Sequence, residues 1–141
     1  MARDDGRWAR DGGSRGGQPT LHALARFDVY RRALEVAGIV RGIDVRGDLR
    51  AQMIRAAESV VLNIAEAQGR SGGDCGRALE VARGSLYEVA GALDLAELTL
   101  GERSNIEGAR EGVRAVAAML ARLCARSGRA AAPRWTKSAT A

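Results

Sequence analysis

Within the run "SVVLNIAEAQGR", Ser59, Asn63, Glu66 and Arg70 follow one another at steps of three and four residues. On a helix at 100° per residue they join Gln52 and Arg55 within an arc of roughly 80°. A hydroxyl, an amide, a carboxylate and a guanidinium in one line provide donors and acceptors of every kind, and three chemistries fit them. One is a hydrogen-bonded network between helices, in which Ser59, Asn63 and Glu66 pair with Ser85 and Glu88 of the next helix. Such a network fixes register, because a buried polar group left unpaired costs roughly 1–3 kcal/mol. Another is a binding surface. The third makes Glu66 and Glu88 an acid–base pair or a magnesium site for phosphodiester chemistry, although neither an aspartate cluster nor a histidine accompanies them.

Other reactive constellations lack parts. A di-metal carboxylate site in a helical bundle needs a Glu-x-x-His pair on each of two helices, and His22 is the only histidine. Cys75 and Cys124 stand on apolar stripes of separate helices and read as core residues, since two thiols without further ligands do not make a tetrahedral zinc site. The glycines of "GRSGGDCG" have neither the preceding strand nor the Lys-Ser or Lys-Thr of a phosphate loop, and read as a turn between helices. The expectation is a protein with no catalytic residue, cofactor or metal.

Charge points elsewhere. The formal net charge is +5, yet residues 21–125 hold 14 arginines against 14 acidic residues. The excess sits at the ends: Arg126, Arg129, Arg134 and Lys137 occupy the last sixteen residues without one acid. A basic arm of this kind either serves solubility or attracts phosphate backbones. Both tryptophans lie between cations, in "RWAR" at residues 7–10 and "RWTK" at 134–137. An indole so placed can stack on an unpaired base, worth roughly 1–3 kcal/mol, or merely dock on the protein surface. Arg114, Arg122 and Arg126, at steps of eight and four, would continue the basic surface of Arg129, Arg134, Trp135 and Lys137 along a helix. Nucleic acid, RNA before DNA, is the expected partner.

These residues need a scaffold, and the periodicity supplies an all-α one. Apolar residues recur at three- and four-residue steps in four segments, with no strand pattern between them. The first runs from near Asp28 to about Arg41, with Phe27, Tyr30, Leu34 and Ala37 on one stripe and Val29, Ala33, Val36 and Val40 on another. Asp48 reads as the N-cap of a second helix that stops at Gly69, while Ser71 with Asp74 and Ser104 with Glu107 open the third and fourth. The third and fourth repeat apolar residues every 3.5 positions on average, which predicts an antiparallel up-down four-helix bundle. Gly84 and Gly91 share one face of the third helix and cost helix propensity, on the order of 1 kcal/mol each, which close approach by a neighbour would offset. In the second helix the apolar residues spread over about 180°, wider than a surface helix needs, and suggest contact with another subunit. The expected organisation is a disordered tail over 1–20, the bundle over 21–126 and a basic disordered tail over 127–141. The absence of a long apolar run predicts no membrane span, and no leader stands at the start, so a cytoplasmic site with reduced thiols is expected.

The run "LRAQMIRAAESVVLNIAEAQGR", followed by "RALEVARGSLYEV", resembles the four-helix-bundle protein family associated with 23S rRNA intervening sequences. The matching blocks are Leu49-x-x-Gln52-x-x-Arg55-Ala56-Ala57-x-Ser59 leading into Asn63-Ile64-Ala65-Glu66 and Gly69-Arg70, and Leu79-x-x-Ala82-x-Gly84-Ser85-Leu86-x-Glu88. "FDVYRRALEV" and "MLARL" are similar to the family's first and last helices, so the likeness covers roughly Phe27 to Leu123. The chain departs from the family pattern at Ala67, where a glycine is usual, and at Ala78, where an aromatic residue is common. The resemblance implies a non-enzymatic bundle. Relatives include the accessory variability determinants of diversity-generating retroelements, which form barrel-like pentamers and bind nucleic acid and a reverse transcriptase. A homo-oligomer, a pentamer by that resemblance, is therefore expected here. A protein-interaction scaffold, or an accessory subunit of a reverse transcriptase, is the alternative.

Overall fold

The computed structural model describes residues 28–126, so the tails expected at 1–20 and 127–141 lie outside the described residues. Four helices make up the described chain: α1 (Asp28–Arg41), α2 (Gly47–Gln68), α3 (Gly72–Leu100) and α4 (Ser104–Arg126). Each packs on two neighbours, α1 on α2 and α4, and α3 on α2 and α4, which closes a four-helix bundle. Connections of five residues or fewer force neighbours in sequence to run antiparallel. The closing pair runs the same way: Asn105 at the start of α4 donates to the Gly42 carbonyl beyond the end of α1, while Val36 and Gly112 meet further along.

The core is aliphatic. Of the two stripes on α1, Val29, Ala33, Val36 and Val40 are buried and Leu34 is exposed. α3 contributes Leu79, Ala82, Leu86, Val89, Leu93 and Ala96, the 3.5-residue repeat seen in its sequence, and α4 contributes Ile106, Ala109, Val116, Leu120 and Cys124. Cys75, expected in the core, is only half-buried, because it lies in the first turn of α3.

The helix entries differ in detail from the sequence expectation. α2 starts at Gly47, whose φ of 68° turns the chain, so Arg46 takes the cap position and Asp48 falls in the first turn. There its carboxylate faces the positive end of the helix dipole instead of capping. Ser71 does occupy the cap position of α3, but its side chain makes no capping bond. At α4 the Arg103 carbonyl accepts from the amides of Ile106 and Glu107, which makes Ser104 the first helical residue rather than the cap.

Candidate functional site

The predicted polar line on α2 divides into two groups with different surroundings. Ser59 and Ser85 share a hydrogen bond of 2.8 Å between their hydroxyls, tying α2 to α3 at mid-length. Asn63 donates to the Ser59 carbonyl at 2.8 Å and to its hydroxyl at 3.1 Å. Ser85 is the one buried polar residue among those described, and no buried side-chain nitrogen or oxygen there lacks a partner. This part of the line forms a hydrogen-bonded link between the two helices. Glu66 and Arg70, one turn on, pair with each other at 3.2 Å and are about half exposed. An exposed i, i+4 pair of this kind contributes only about 0.3–0.5 kcal/mol.

Glu88 does not join the serines. It lines a shallow groove of about 370 Å³ between α2 and α3, together with Gln52, Arg55, Ala56, Ser59 and Ser85. Arg55 spends one nitrogen on the Ala51 carbonyl of its own helix, at 3.4 Å, and makes no ion pair among the described residues. The groove thus carries an unmatched cation and an unmatched carboxylate on its rim.

The basic line is likewise only partly continuous. Arg114 is held by Glu107 at 2.7 Å, which neutralises its charge within α4. Arg122 and Arg126 are exposed at the end of α4 and make no ion pair among the described residues. Arg129, Arg134, Trp135 and Lys137 lie outside the described residues.

Two arginines that sequence reasoning passed over organise the other end of the bundle, where α4 begins. Arg50 donates to the carbonyls of Ile43 at 2.9 Å and Arg41 at 3.0 Å, clamping the α1–α2 connection. Arg110 reaches from α4 to both Glu97 oxygens, at 3.0 and 2.7 Å, and to Asp94 at 2.8 Å. The hydrogen bonds that Arg110 donates hold the Glu97 carboxyl below the usual carboxylate range, and donating to Glu97 and Asp94 raises Arg110 in turn. Burial pushes the Cys124 thiol up. Among the described residues, no group of three or more His, Cys, Asp or Glu side chains is arranged to hold a metal ion, and no helix is long and apolar enough to cross a membrane.

Two expectations about helix faces are corrected. The wide apolar arc of α2 is consumed inside the chain: Met53, Ala56, Ala57, Val60, Val61, Ile64 and Ala67 are all buried, because α2 sits between α1 and α3. No neighbour approaches Gly84 or Gly91; a methyl group built on either would meet nothing within 4 Å. The close approach occurs at Gly112, where such a methyl would lie 2.6 Å from Val36 Cγ2. Exposed apolar side chains gather instead on α3 and its border with α2: Leu98 (84%), Leu62 (67%), Tyr87 (61%), Leu95 (53%) and Val81 (47%).

Comparison with known proteins agrees with this architecture. A crystal structure of a protein of unknown function from the S23 ribosomal protein family of Bacteroides thetaiotaomicron superimposes with a TM-score of 0.61 at 21% identity, over 68% of this chain and 97% of that one. At that identity the likeness concerns the fold. No curated protein matches. The model of the family described as 23S rRNA-intervening sequence protein matches residues 27–122, close to the span marked out by the sequence blocks. With more than half of its length in that match, the chain belongs to the 23S rRNA-intervening sequence protein family.

Proposed function

We propose that this protein is a non-enzymatic RNA-binding bundle that works as a homo-oligomer, gripping phosphate backbones with basic residues at and beyond the end of α4. The observation that carries this reading is the separation of charge. Residues 28–126 hold 14 arginines against 14 acidic residues, so the whole excess of +5 falls outside that span. Arg122 and Arg126, free of carboxylate partners among the described residues, lead from the neutral bundle into the run of Arg129, Arg134, Trp135 and Lys137. An assembly multiplies that arm, which raises its effective concentration along one RNA strand. The family takes its name from intervening sequences of 23S rRNA, which makes structured or single-stranded RNA the first ligand to test.

The test compares the full chain with a version ending at Ser127, using fluorescence anisotropy on a labelled RNA across a salt series. Losing three cations that contact single-stranded RNA lowers the slope of log K against log salt by about 2 per protomer. Affinity at low salt falls at least tenfold. Equal affinity and equal slope for the two versions would remove the arm from the mechanism. Trp135→Ala separates stacking from charge: it weakens binding to unpaired RNA while leaving the salt slope unchanged.

A further inference from the structure

Ser59 and Ser85 meet across antiparallel helices, so the residue one turn before Ser59 and the residue one turn after Ser85 stand at the same level of the bundle. Those residues are Arg55 on α2 and Glu88 on α3, with Gln52 a further turn along α2. All three are exposed and rim the groove of about 370 Å³ whose floor is Ala56 and the linked serines. That volume lies near the lower bound of the roughly 300–1,000 Å³ that sites for small ligands take. The floor is low and fixed: it offers only a methyl group and two hydroxyls, and the serines are tied to each other and to Asn63.

The charges of this groove are unspent. Arg55 donates only from Nε, to its own helix, so both terminal nitrogens remain for a ligand; neither the Gln52 amide nor the Glu88 carboxylate has a partner among the described residues. By contrast, in the groove of about 330 Å³ beside the α3–α4 connection, Arg110 is already bound to Glu97, and Glu107 to Arg114. The Glu88 carboxylate repels phosphate, so a nucleic-acid backbone does not suit the α2–α3 groove. A neutral, flat group with acceptors on one edge and donors on the next does. Among the RNA bases, guanine alone sets an adjacent pair of acceptors, O6 and N7, beside an adjacent pair of donors, N1–H and N2–H. An arginine fork takes the first pair and a carboxylate the second, each through parallel charge-assisted bonds. Adenine, cytosine and uracil each present a single donor group.

We propose that the α2–α3 groove holds an unpaired guanine of bound RNA, with the Arg55 guanidinium on O6 and N7 and the Glu88 carboxylate on N1–H and N2–H. This inference rests on the RNA-binding part of the reading above and adds base recognition by the bundle to the charge contacts of the arm.

The test measures fluorescence anisotropy of the full chain with a labelled oligouridine that carries one guanosine, adenosine, cytidine or uridine at its centre. The expected result is binding of the guanosine strand at least about tenfold tighter than the others. Because the base is uncharged, that ratio holds across a salt series while every affinity falls. Inosine, which lacks the N2 amino group, and 7-deazaguanosine, which lacks N7, each remove a contact and bind several-fold more weakly than guanosine. Glu88→Ala abolishes the inosine difference and Arg55→Ala the 7-deazaguanosine difference. Both positions are exposed and helical, where alanine is the most favourable residue, so far-UV dichroism reports unchanged helix content. Equal affinity for all the strands, or a guanosine preference that survives both substitutions, overturns the groove assignment and leaves RNA binding standing. No binding of any strand at low salt refutes RNA binding itself, and the groove assignment with it.

Discussion

Replacing Gly112 by alanine tests how tightly α1 and α4 are packed. The new methyl carbon would stand 2.6 Å from Val36 Cγ2, against a comfortable separation of about 3.5–4.0 Å, an overlap of about 1 Å. Val36 is buried, and a β-branched side chain in a helix holds one strongly preferred rotamer, so it cannot swing aside cheaply. Overpacking of this kind costs about 1–3 kcal/mol, while exchanging glycine for alanine in a helix returns about 1 kcal/mol. The net loss is about 1 kcal/mol, or roughly 4–8 °C in Tm for a domain of this size. Gly108, one turn earlier on α4, has nothing within 4 Å of its would-be methyl, so Gly108→Ala gains up to about 1 kcal/mol. Two identical substitutions one turn apart therefore act with opposite sign, which urea denaturation followed by far-UV dichroism at constant protein concentration resolves. Adding Val36→Ala to Gly112→Ala relieves the overlap, so the double variant loses less than the sum of the singles. If Gly112→Ala matches Gly108→Ala in stability, the close approach of α1 and α4 is wrong.

Three further outcomes follow from the polar contacts. Ser59→Ala leaves Ser85 short of its partner at the α2–α3 contact and costs about 1–2 kcal/mol, whereas Ser59→Ala with Ser85→Ala costs less than the two singles together, measured by a denaturation cycle. Because Arg110 holds the Glu97 carboxyl below its ordinary value of 4.5, the contribution of Glu97 is present above that value and lost as pH falls through the folded one. The stability difference between the wild type and Glu97→Gln therefore closes in acid; a difference that persists unchanged at low pH contradicts the assignment. With a thiol reagent at neutral pH, half-buried Cys75 reacts ahead of Cys124, whose burial and raised thiol delay it until the bundle opens; equal rates in the native protein would show that the end of α4 is not packed as described.

Much of the scaffold was legible because its signals are local. Asp28 and Arg41 bound α1 as the sequence suggested, and α2 ends before Gly69, where the apolar repeat stops. The pairing of Ser59 with Ser85 was also foreseeable, since each follows the core stripe of its own helix at the border between the two. The glycines were not. Gly84 and Gly91 look like sites of close packing and Gly112 looks unremarkable, yet the space around a glycine is set by another helix whose offset no local pattern encodes. The breadth of the α2 apolar arc misled for a related reason: in a four-membered ring each helix has two neighbours, so a wide arc is an internal need. The outward stripe of α3 was masked by the stronger inward repeat of the same helix. The grip of Arg50 on two carbonyls carries no sequence signal at all, because backbone acceptors are the same at every residue.

The ring of helices has one closure that does not follow chain order, and it sets the sequence of events in folding. α1–α2, α2–α3 and α3–α4 are hairpins with connections of five residues or fewer, but α1 and α4 are neighbours in space separated in sequence by both α2 and α3. Local pairings form before distant ones, and α2 with α3 makes the largest of the local contacts, so that hairpin is the expected nucleus. Docking of α1 onto α4 then comes after the barrier is crossed. Kinetic traces should show Gly112→Ala hastening unfolding with little change in the refolding limb, and Ser59→Ala slowing refolding.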